Sequence, residues 1–301
     1  MDGILPLLKP TGQTSMEAVR IVKRLTRERK VGHAGTLDPA ASGVLPICFG
    51  QATRVMIFLV DSPKMYKATV RLGTTTDTYD ADGSVVSTQD PSGVTREDVL
   101  KALEKFRGTI LQVPPMYSAL KREGRRLYEL ARAGLEVPRE PRKVQVLRLE
   151  MTEWAPPQVT LEVECGRGLY LRSLAHDLGQ AIGCGGHLAR LVRLRNGPFS
   201  IEKTISENEL EEAVAANRWK ELVHNLDSVL THLKAAIVGP ATVREVRQGR
   251  QVALGYRTYL PTHGERCRVY DLQGHLVAVS RFDRFTGFWH PDIVFSPAQG
   301  K

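Results

Sequence analysis

Val159-Thr160-Leu161-Glu162-Val163-Glu164-Cys165-Gly166-Arg167-Gly168-Leu169-Tyr170-Leu171-Arg172 contains a change of period around which the rest of the chain can be read. Val159, Leu161, Val163 and Cys165 alternate with other residues, the two-residue repeat of a half-buried strand. From Leu171 onward, Leu174, Ala175, Leu178 and Ile182 fall at helical spacing, and Gly183 supplies a stop. Gly166–Tyr170 is therefore a tight strand-to-helix junction, where side chains are held rigidly and point into clefts. Arg172 sits in the first helical turn after it. A solvated arginine is the ordinary expectation there, but its charge opposes the helix dipole, which mildly favours a specific partner.

The same alternation recurs in Tyr66, Ala68, Val70 and Leu72, interleaved with Lys67, Thr69 and Arg71. Thr14 with Glu17 three residues on fits a capping box and predicts a helix through Val19, Val22 and Leu25. Val44 to Phe49 is an apolar run expected to form a buried strand. Strand-like and helix-like segments mix from Ile4 to about Leu233; from Ala236 to Phe295 short β-like runs are punctuated by Gly and Pro. The stretch between, Ile205 to Leu233, has none of the Gly/Ser/Pro richness of a flexible linker. Two packed domains are expected, residues 1–233 and 236–301, with Ser296–Lys301 as a frayed tail.

With 42% hydrophobic and 25% charged residues, the 301-residue chain is ordinary for a globular protein with a real core. No apolar run approaches the length of a membrane-spanning helix, and Met1-Asp2-Gly3 opens no secretory signal, which predicts a cytoplasmic protein with no membrane partner. Cys48, Cys165, Cys184 and Cys267 are scattered with no CxxC pair, so reduced, mostly buried thiols are expected rather than a zinc site or disulfides. The histidines show no metal-ligand spacing either. A net charge of +9 favours a polyanionic partner without requiring one.

The most unusual segment is Gly32-His33-Ala34-Gly35-Thr36-Leu37-Asp38-Pro39-Ala40-Ala41-Ser42-Gly43-Val44-Leu45-Pro46, one acid and one histidine among small and apolar residues. Glycines admit close approach of a ligand, and Pro39 restricts the backbone of Asp38. A carboxylate beside a buried strand needs a cation or donors to stay ionised, and Arg172 is the best candidate. The plainer alternative is an Asp-Pro turn in which Asp38 bonds its own backbone. Lys9-Pro10-Thr11-Gly12-Gln13-Thr14-Ser15 leads into the capped helix, where free N–H groups can hold a phosphate, though capping alone explains Thr14. Lys121 to Lys143 carries eight Lys/Arg against four Glu with Tyr117 and Tyr128 nearby, which suits either a phosphate-tracking arm or a solvated amphipathic helix. His187, Arg190, Arg193 and Arg195 form a second basic cluster.

Together these segments resemble the bacterial TruB family of tRNA pseudouridine synthases over nearly the whole chain. Gly32 to Pro39 resembles the family's signature loop, Lys9 to Ser15 its N-terminal motif, and Lys64-Met65-Tyr66 with Thr76 to Gly83 its tyrosine motif and acidic turn. Gln112 to Lys121 resembles the start of an RNA-gripping insertion, about residues 108–143. Tyr170-Leu171-Arg172 and Gly186 to Leu194 resemble the last catalytic motifs, with Val192 where the pattern has an arginine. Val246 to Gly249, Arg268 to Asp271 and Leu276 to Val279 resemble a PUA-like RNA-binding module, which has nine Lys/Arg and five Asp/Glu from Ala236 on.

The resemblance implies a mixed α/β catalytic domain (class α+β) around a mainly antiparallel sheet, followed by a small β-rich domain. It implies isomerisation of a T-arm uridine (tRNA position 55) by base flipping, with no cofactor, no metal and no protein partner, by a monomer. Asp38, Tyr66 and Arg172 would be catalytic. His33 would support the flipped base and Leu191 would wall its other face, with Lys9 and Tyr170 supporting the pocket. Three other readings remain: an RNA-binding protein with a vestigial pocket, a synthase working in a guide-RNA particle, and an unrelated phosphate-loop enzyme. The retained Asp38, Tyr66 and Arg172 weigh against the first, the insertion against the second, and the lack of GxxxxGK[ST] or GxGxxG against the third.

Overall fold

The computed structural model describes residues 1–118, 120–122, 124–135, 137–255 and 260–296. The expected tail beyond Ser296 lies outside them.

The chain opens with β1 (Gly3–Lys9) and α1 (Ser15–Thr26), followed by β2 (Val31–His33), β3 (Ser42–Phe49) and α2 (Met56–Asp61). The capping box forms: Glu17 N–H donates to Thr14 Oγ1 at 3.1 Å, and Thr14 N–H returns to the Glu17 carboxylate at 2.8 Å. Next come β4 (Lys64–Leu72), a hairpin of β5 (Thr74–Thr76) and β6 (Val85–Thr88), α3 (Arg96–Leu103) and β7 (Gly108–Gln112). The short β8 (Lys121–Arg122), β9 (Arg125–Arg126) and α4 (Leu127–Arg132) lie in the insertion before β10 (Arg142–Ala155) and β11 (Gln158–Cys165). Then follow α5 (Leu171–Ile182), β12 (Gly186–Asn196), β13 (Phe199–Ser200) and α6 (Glu207–Ala215). The C-terminal part contains β14 (Lys234–Ile237), α7 (Pro240–Arg247), β15 (Arg266–Tyr270), β16 (Leu276–Asp283) and β17 (Phe288–Val294).

The large sheet runs β1-β3-β12-β4-β11-β10-β7, with β2 beside β3 and β13 beside β12. All its pairings are antiparallel except the short β12–β3 contact, where Val192 meets Ser42 and Arg193 meets Gly43. This matches the expected mainly antiparallel α+β architecture. Gly43 has φ +111°, and a Cβ there would lie 2.2 Å from the Arg193 carbonyl oxygen, so only glycine lets the strands meet.

One face of the sheet packs Ala68, Val70, Leu161 and Val163 beneath α3 and α5 through Val99, Leu103, Leu174 and Leu178. At the other end β3 is buried on both faces. Leu45, Ile47 and Phe49 meet α1 and α6, whereas Val44 and Cys48 pack with Leu59 and Val229. Double burial explains why Val44–Phe49 reads as a continuous apolar run rather than an alternating one. All four cysteines are free and buried.

A four-stranded sheet, β14-β15-β16-β17, forms the C-terminal part. It packs on the first part through Val279 and Phe295, which join the cluster containing Leu59. Tyr270 Oη also donates to Asp227 at 2.8 Å, and the Arg266 guanidinium lies 5.5 Å from the Phe58 ring centroid. No described helix is long and apolar enough to cross a membrane.

α5 and the turn into β12 touch backbone to backbone, since a Cβ on Gly179 would lie 2.2 Å from Gly186 N and 2.3 Å from Gly185 C. Gly183, which caps α5 at φ +94°, has open space around it. Gly179→Ala should therefore destabilise the protein by about 1–3 kcal/mol or more through overpacking. Gly183→Ala should cost only about 1 kcal/mol of backbone strain. Urea unfolding of both variants checks the order, and equal losses would contradict it.

Candidate active site

The loop between β2 and β3 carries Asp38, and its backbone is held at nearly every turn. Ser15, buried at the start of α1, donates to Leu37 O at 3.0 Å and accepts from Leu37 N–H at 2.9 Å. Gly12 N–H donates to Pro39 O at 2.8 Å, and Ala41 N–H closes a turn onto Asp38 O at 3.0 Å. Lys9 is fully buried, its Nζ donating to Pro10 O (2.7 Å), Gln13 O (2.6 Å) and Pro39 O (3.4 Å). From the far side, Arg193 donates to Gly35 O and Val44 O, both at 2.8 Å, and Asn196 Nδ2 to Ala34 O at 3.0 Å.

The turn at Asp38 thus forms, but the side chain does not fold back on it. Its Oδ2 lies 3.0 Å from Arg172 Nε, with the carboxylate 45% exposed and the guanidinium 8%. Arg172 is therefore the specific partner rather than a solvated first-turn residue. The rest of its fork is also used, Nη2 donating to Tyr117 O at 2.8 Å and Nη1 facing Asp80 Oδ2 at 3.6 Å. Asp80 rides on a turn docked to β12 by Leu188 N–H donating to Tyr79 O at 2.9 Å, with the Tyr79 ring stacked 3.9 Å from that of His176.

Tyr170, the residue before α5, is fastened through its backbone. Its N–H donates to Gln112 Oε1 at 2.9 Å, and Gln112 Nε2 donates back to its carbonyl at 3.1 Å. Burial raises the phenol pKa of Tyr170, with a hydrogen bond to Ser118 and the charge of Arg172 opposing. On β4, Tyr66 lies directly across from Arg193 of β12, and Ala68 across from Leu191. Cross-strand partners share a face, so Tyr66, Leu191 and Arg193 project together on the side covered by α5. Burial pushes the Tyr66 phenol up as well, while Arg193 pulls it down, so the hydroxyl stays protonated at neutral pH. His33 is half-buried at the mouth of the loop, and its Nδ1 has no hydrogen-bond partner among the described residues.

Asp38, Arg172, Tyr66, Tyr170 and Lys9 form one electrostatic neighbourhood, since the Asp38 charge acts on Tyr66, Tyr170 and Lys9. Burial pushes the Lys9 ammonium down to about 8, with Asp38 pulling it back up. Lys9 is spent on backbone carbonyls, among them that of Pro39 next to Asp38.

The second basic cluster does not form. Arg193 is 1% exposed, Arg195 pairs with Glu164 at 2.6 Å, and His187 Nδ1 contacts Thr74 O at 2.8 Å. Arg190 and Val192 line a cleft of about 400 Å³ with Lys67 and Glu153 on the reverse face of the sheet. Val192 therefore stands away from the face carrying Tyr66. The insertion has a small core of Met116, Leu127 and Leu130 and reaches the site through Tyr117 O. Its only described helix, α4, takes up six residues of Lys121–Lys143, the stretch read as either a phosphate-tracking arm or a solvated amphipathic helix. Ala119, Glu123 and Glu136, within that motif and stretch, lie outside the described residues.

Ser15, Gln112, Arg193 and Asn196 carry structural weight that sequence reasoning did not assign. The available signal was Arg193 itself, an arginine at the strand spacing of Leu191 and thus on an apolar face. Among the described residues no group of three His, Cys, Asp or Glu is placed to hold a metal ion.

Two family models cover consecutive parts of the chain: the TruB family pseudouridylate synthase N-terminal domain matches residues 23–171, and the tRNA pseudouridylate synthase B C-terminal domain matches residues 172–238. A tRNA pseudouridine synthase B from Thiobacillus denitrificans is 42% identical over 283 residues, 93% of this chain and 92% of that protein. One from Azoarcus sp. is 45% identical over 252 residues, 84% of this chain and 83% of that protein. Among solved structures, a chain of a Cbf5-Nop10-Gar1 complex aligns with TM-score 0.73 at 28% identity, covering 93% of this chain and 78% of that one. A chain of an H/ACA RNP bound to a substrate RNA containing 2′-deoxyuridine aligns with TM-score 0.75 at 25% identity, covering 99% of this chain and 86% of that one.

Burial, and secondarily the charge of Arg193, holds the His33 imidazole below its ordinary pKa of 6.5. The unfolded chain then takes up the proton first as pH falls, so His33 withdraws stability below pH 6.5. Its Cε1–H resonance should titrate below 6.5, and His33→Gln should flatten the acid loss of stability. A midpoint at or above 6.5 would contradict this account of the site.

Proposed function

The chain belongs to the TruB family of pseudouridylate synthases, and from that premise we propose that it isomerises a uridine in the T-arm loop of tRNA to pseudouridine. The reaction breaks the N1–C1′ bond, turns the uracil and joins C5 to C1′. The proton leaves C5, N1 gains one, and no electrons or atoms are lost overall, so the chemistry asks for no redox partner. It asks for a nucleophile or base, and a carboxylate serves as either.

The observation that carries the reading is Asp38 itself: its carboxylate is 45% exposed at the tip of a pinned loop, and one oxygen is fixed 3.0 Å from Arg172 Nε. That ion pair holds one oxygen of the group while the side chain stays 45% exposed. A T-loop uridine must leave its stack to reach it. Tyr66 is placed to stack on the extruded base and, as a protonated phenol, to help move the C5 proton late in the reaction. Leu191 supplies the apolar wall that excludes water, His33 supports the flipped nucleotide, and Lys9 and Tyr170 hold the pocket's shape.

In this proposal residues 1–233 form the catalytic domain, with an RNA-gripping insertion at about 108–143. Residues 236–301 form a PUA-like RNA-binding domain with a surplus of positive charge. The protein acts as a monomer without cofactor or protein partner. Names of the curated relatives support the tRNA substrate, and the insertion supports direct gripping of tRNA rather than delivery by a guide RNA.

Carbodiimide treatment followed by primer extension on an unmodified tRNA transcript tests the reading. Pseudouridine has the mass of uridine, so mass alone would miss it. Wild-type protein should create one new stop at the T-loop uridine. Asp38→Asn should lower the yield by at least about 10³-fold, with transcript affinity nearly unchanged. A stop elsewhere would refute the T-arm assignment, and an active Asp38→Asn would refute the role of Asp38.

A further inference from the structure

Arg193 is among the most deeply buried charged side chains of the protein, at 1% exposure, and no ion pair to a carboxylate holds it among the described residues. Desolvating a guanidinium without a counter-ion is costly, so a buried one is retained only where its donors are well used. Here they are used on the Asp38 loop. Nε donates to Val44 O and Nη2 to Gly35 O, each at 2.8 Å, which brackets the loop from both ends. The backbone of Arg193 meets the same loop at Gly43 through the parallel bridge. A Cβ on Gly35 would already sit 3.4 Å from Arg193 Nη1, so the contact is close enough to transmit a shift.

The same side chain faces the other half of the site. Arg193 lies directly opposite Tyr66 in the β12–β4 register, on the same face of the sheet. The guanidinium charge opposes the effect of burial on the Tyr66 phenol, consistent with side chains that neighbour one another across the two strands.

We propose that Arg193 is a positioning residue whose single guanidinium fixes the Asp38 loop and the Tyr66 hydroxyl relative to one another. This inference rests on the reading of Asp38 and Tyr66 as the pair that acts on uridine. A carboxylate and a phenol that must act on one base need a set separation, and misplacement by about 1 Å can cost on the order of 10²-fold in rate. A planar fork holds two carbonyls at opposite ends of the loop while still facing the neighbouring phenol. A lysine ammonium at the same position keeps the charge and loses the geometry.

Single-turnover pseudouridine formation and tRNA binding by wild type, Asp38→Asn and Arg193→Lys test the proposal. Arg193→Lys should form pseudouridine about 10- to 100-fold more slowly, with tRNA affinity within about threefold of wild type. If wild type makes no pseudouridine, the functional reading fails and the proposal with it. If wild type is active and Arg193→Lys matches it, the proposal alone is overturned. Equal loss of rate and of binding in Arg193→Lys would also overturn it, as the mark of a merely structural side chain.

A second measurement does not depend on that variant folding. In ¹⁵N-arginine spectra of the full-length protein, the Arg193 side-chain N–H resonances should be protected from exchange and should shift on Tyr66→Phe. Resonances unmoved by Tyr66→Phe would break the proposed link.

Discussion

A guanidinium that is 8% exposed has to place its donors on acceptors, and Arg172 does so on three segments far apart in sequence. Asp38 comes from the loop before β3, Asp80 from the turn after β5, and the carbonyl of Tyr117 from the insertion. The site is the place where these segments meet, and much of the fold serves to bring α5 and the β2–β3 loop there. The backbone-to-backbone contact at Gly179 seats α5 against β12, and Gly43 lets β12 approach the loop. Removal of Arg172 would leave a half-exposed carboxylate without its orienting partner and loosen the insertion.

Buried positive charge is the second theme. Lys9 and Arg193 bond to the loop and Lys64 lies at the start of β4, all below 8% exposure. Each is satisfied mostly by carbonyl oxygens. Lys64, for example, caps the end of α2 by donating to Leu59 O, Val60 O and Ser62 O at 2.6–2.9 Å. Carbonyls neutralise a cation less completely than carboxylates do, so these groups keep a positive contribution to the field inside the protein. That field suits a substrate with a phosphate backbone.

Much of this was legible in the residues. Thr14 with Glu17 marked α1, the alternations at Tyr66 and Val159 marked β4 and β11, and Gly183 marked the end of α5. The loop bearing Asp38 stood out by composition, and its resemblance to a known family pointed to Arg172 as the partner. What could not be read were contacts between distant segments: Ser15 with Leu37, Lys9 with Pro39, Gln112 with Tyr170. Such pairs leave no periodic trace, since one partner is usually a carbonyl, which every residue has. The basic residues of β12 misled for a related reason. Arg190, Arg193 and Arg195 look alike in sequence, yet a strand sends neighbours to opposite faces, and bulges after Leu188 and Arg193 reset that pattern.

The central claim is that the ion pair of Asp38 with Arg172 makes the loop carboxylate competent on a bound uridine. Tritium release from tRNA labelled at uracil C5 reads the step directly, because the C5 hydrogen departs only when C5 joins C1′. Under single-turnover conditions Arg172→Met should release tritium at least about 10²-fold more slowly than wild type, while filter binding shows tRNA affinity held within a few-fold. Release at the wild-type rate by Arg172→Met would mean that the carboxylate works without this partner, and would contradict the account.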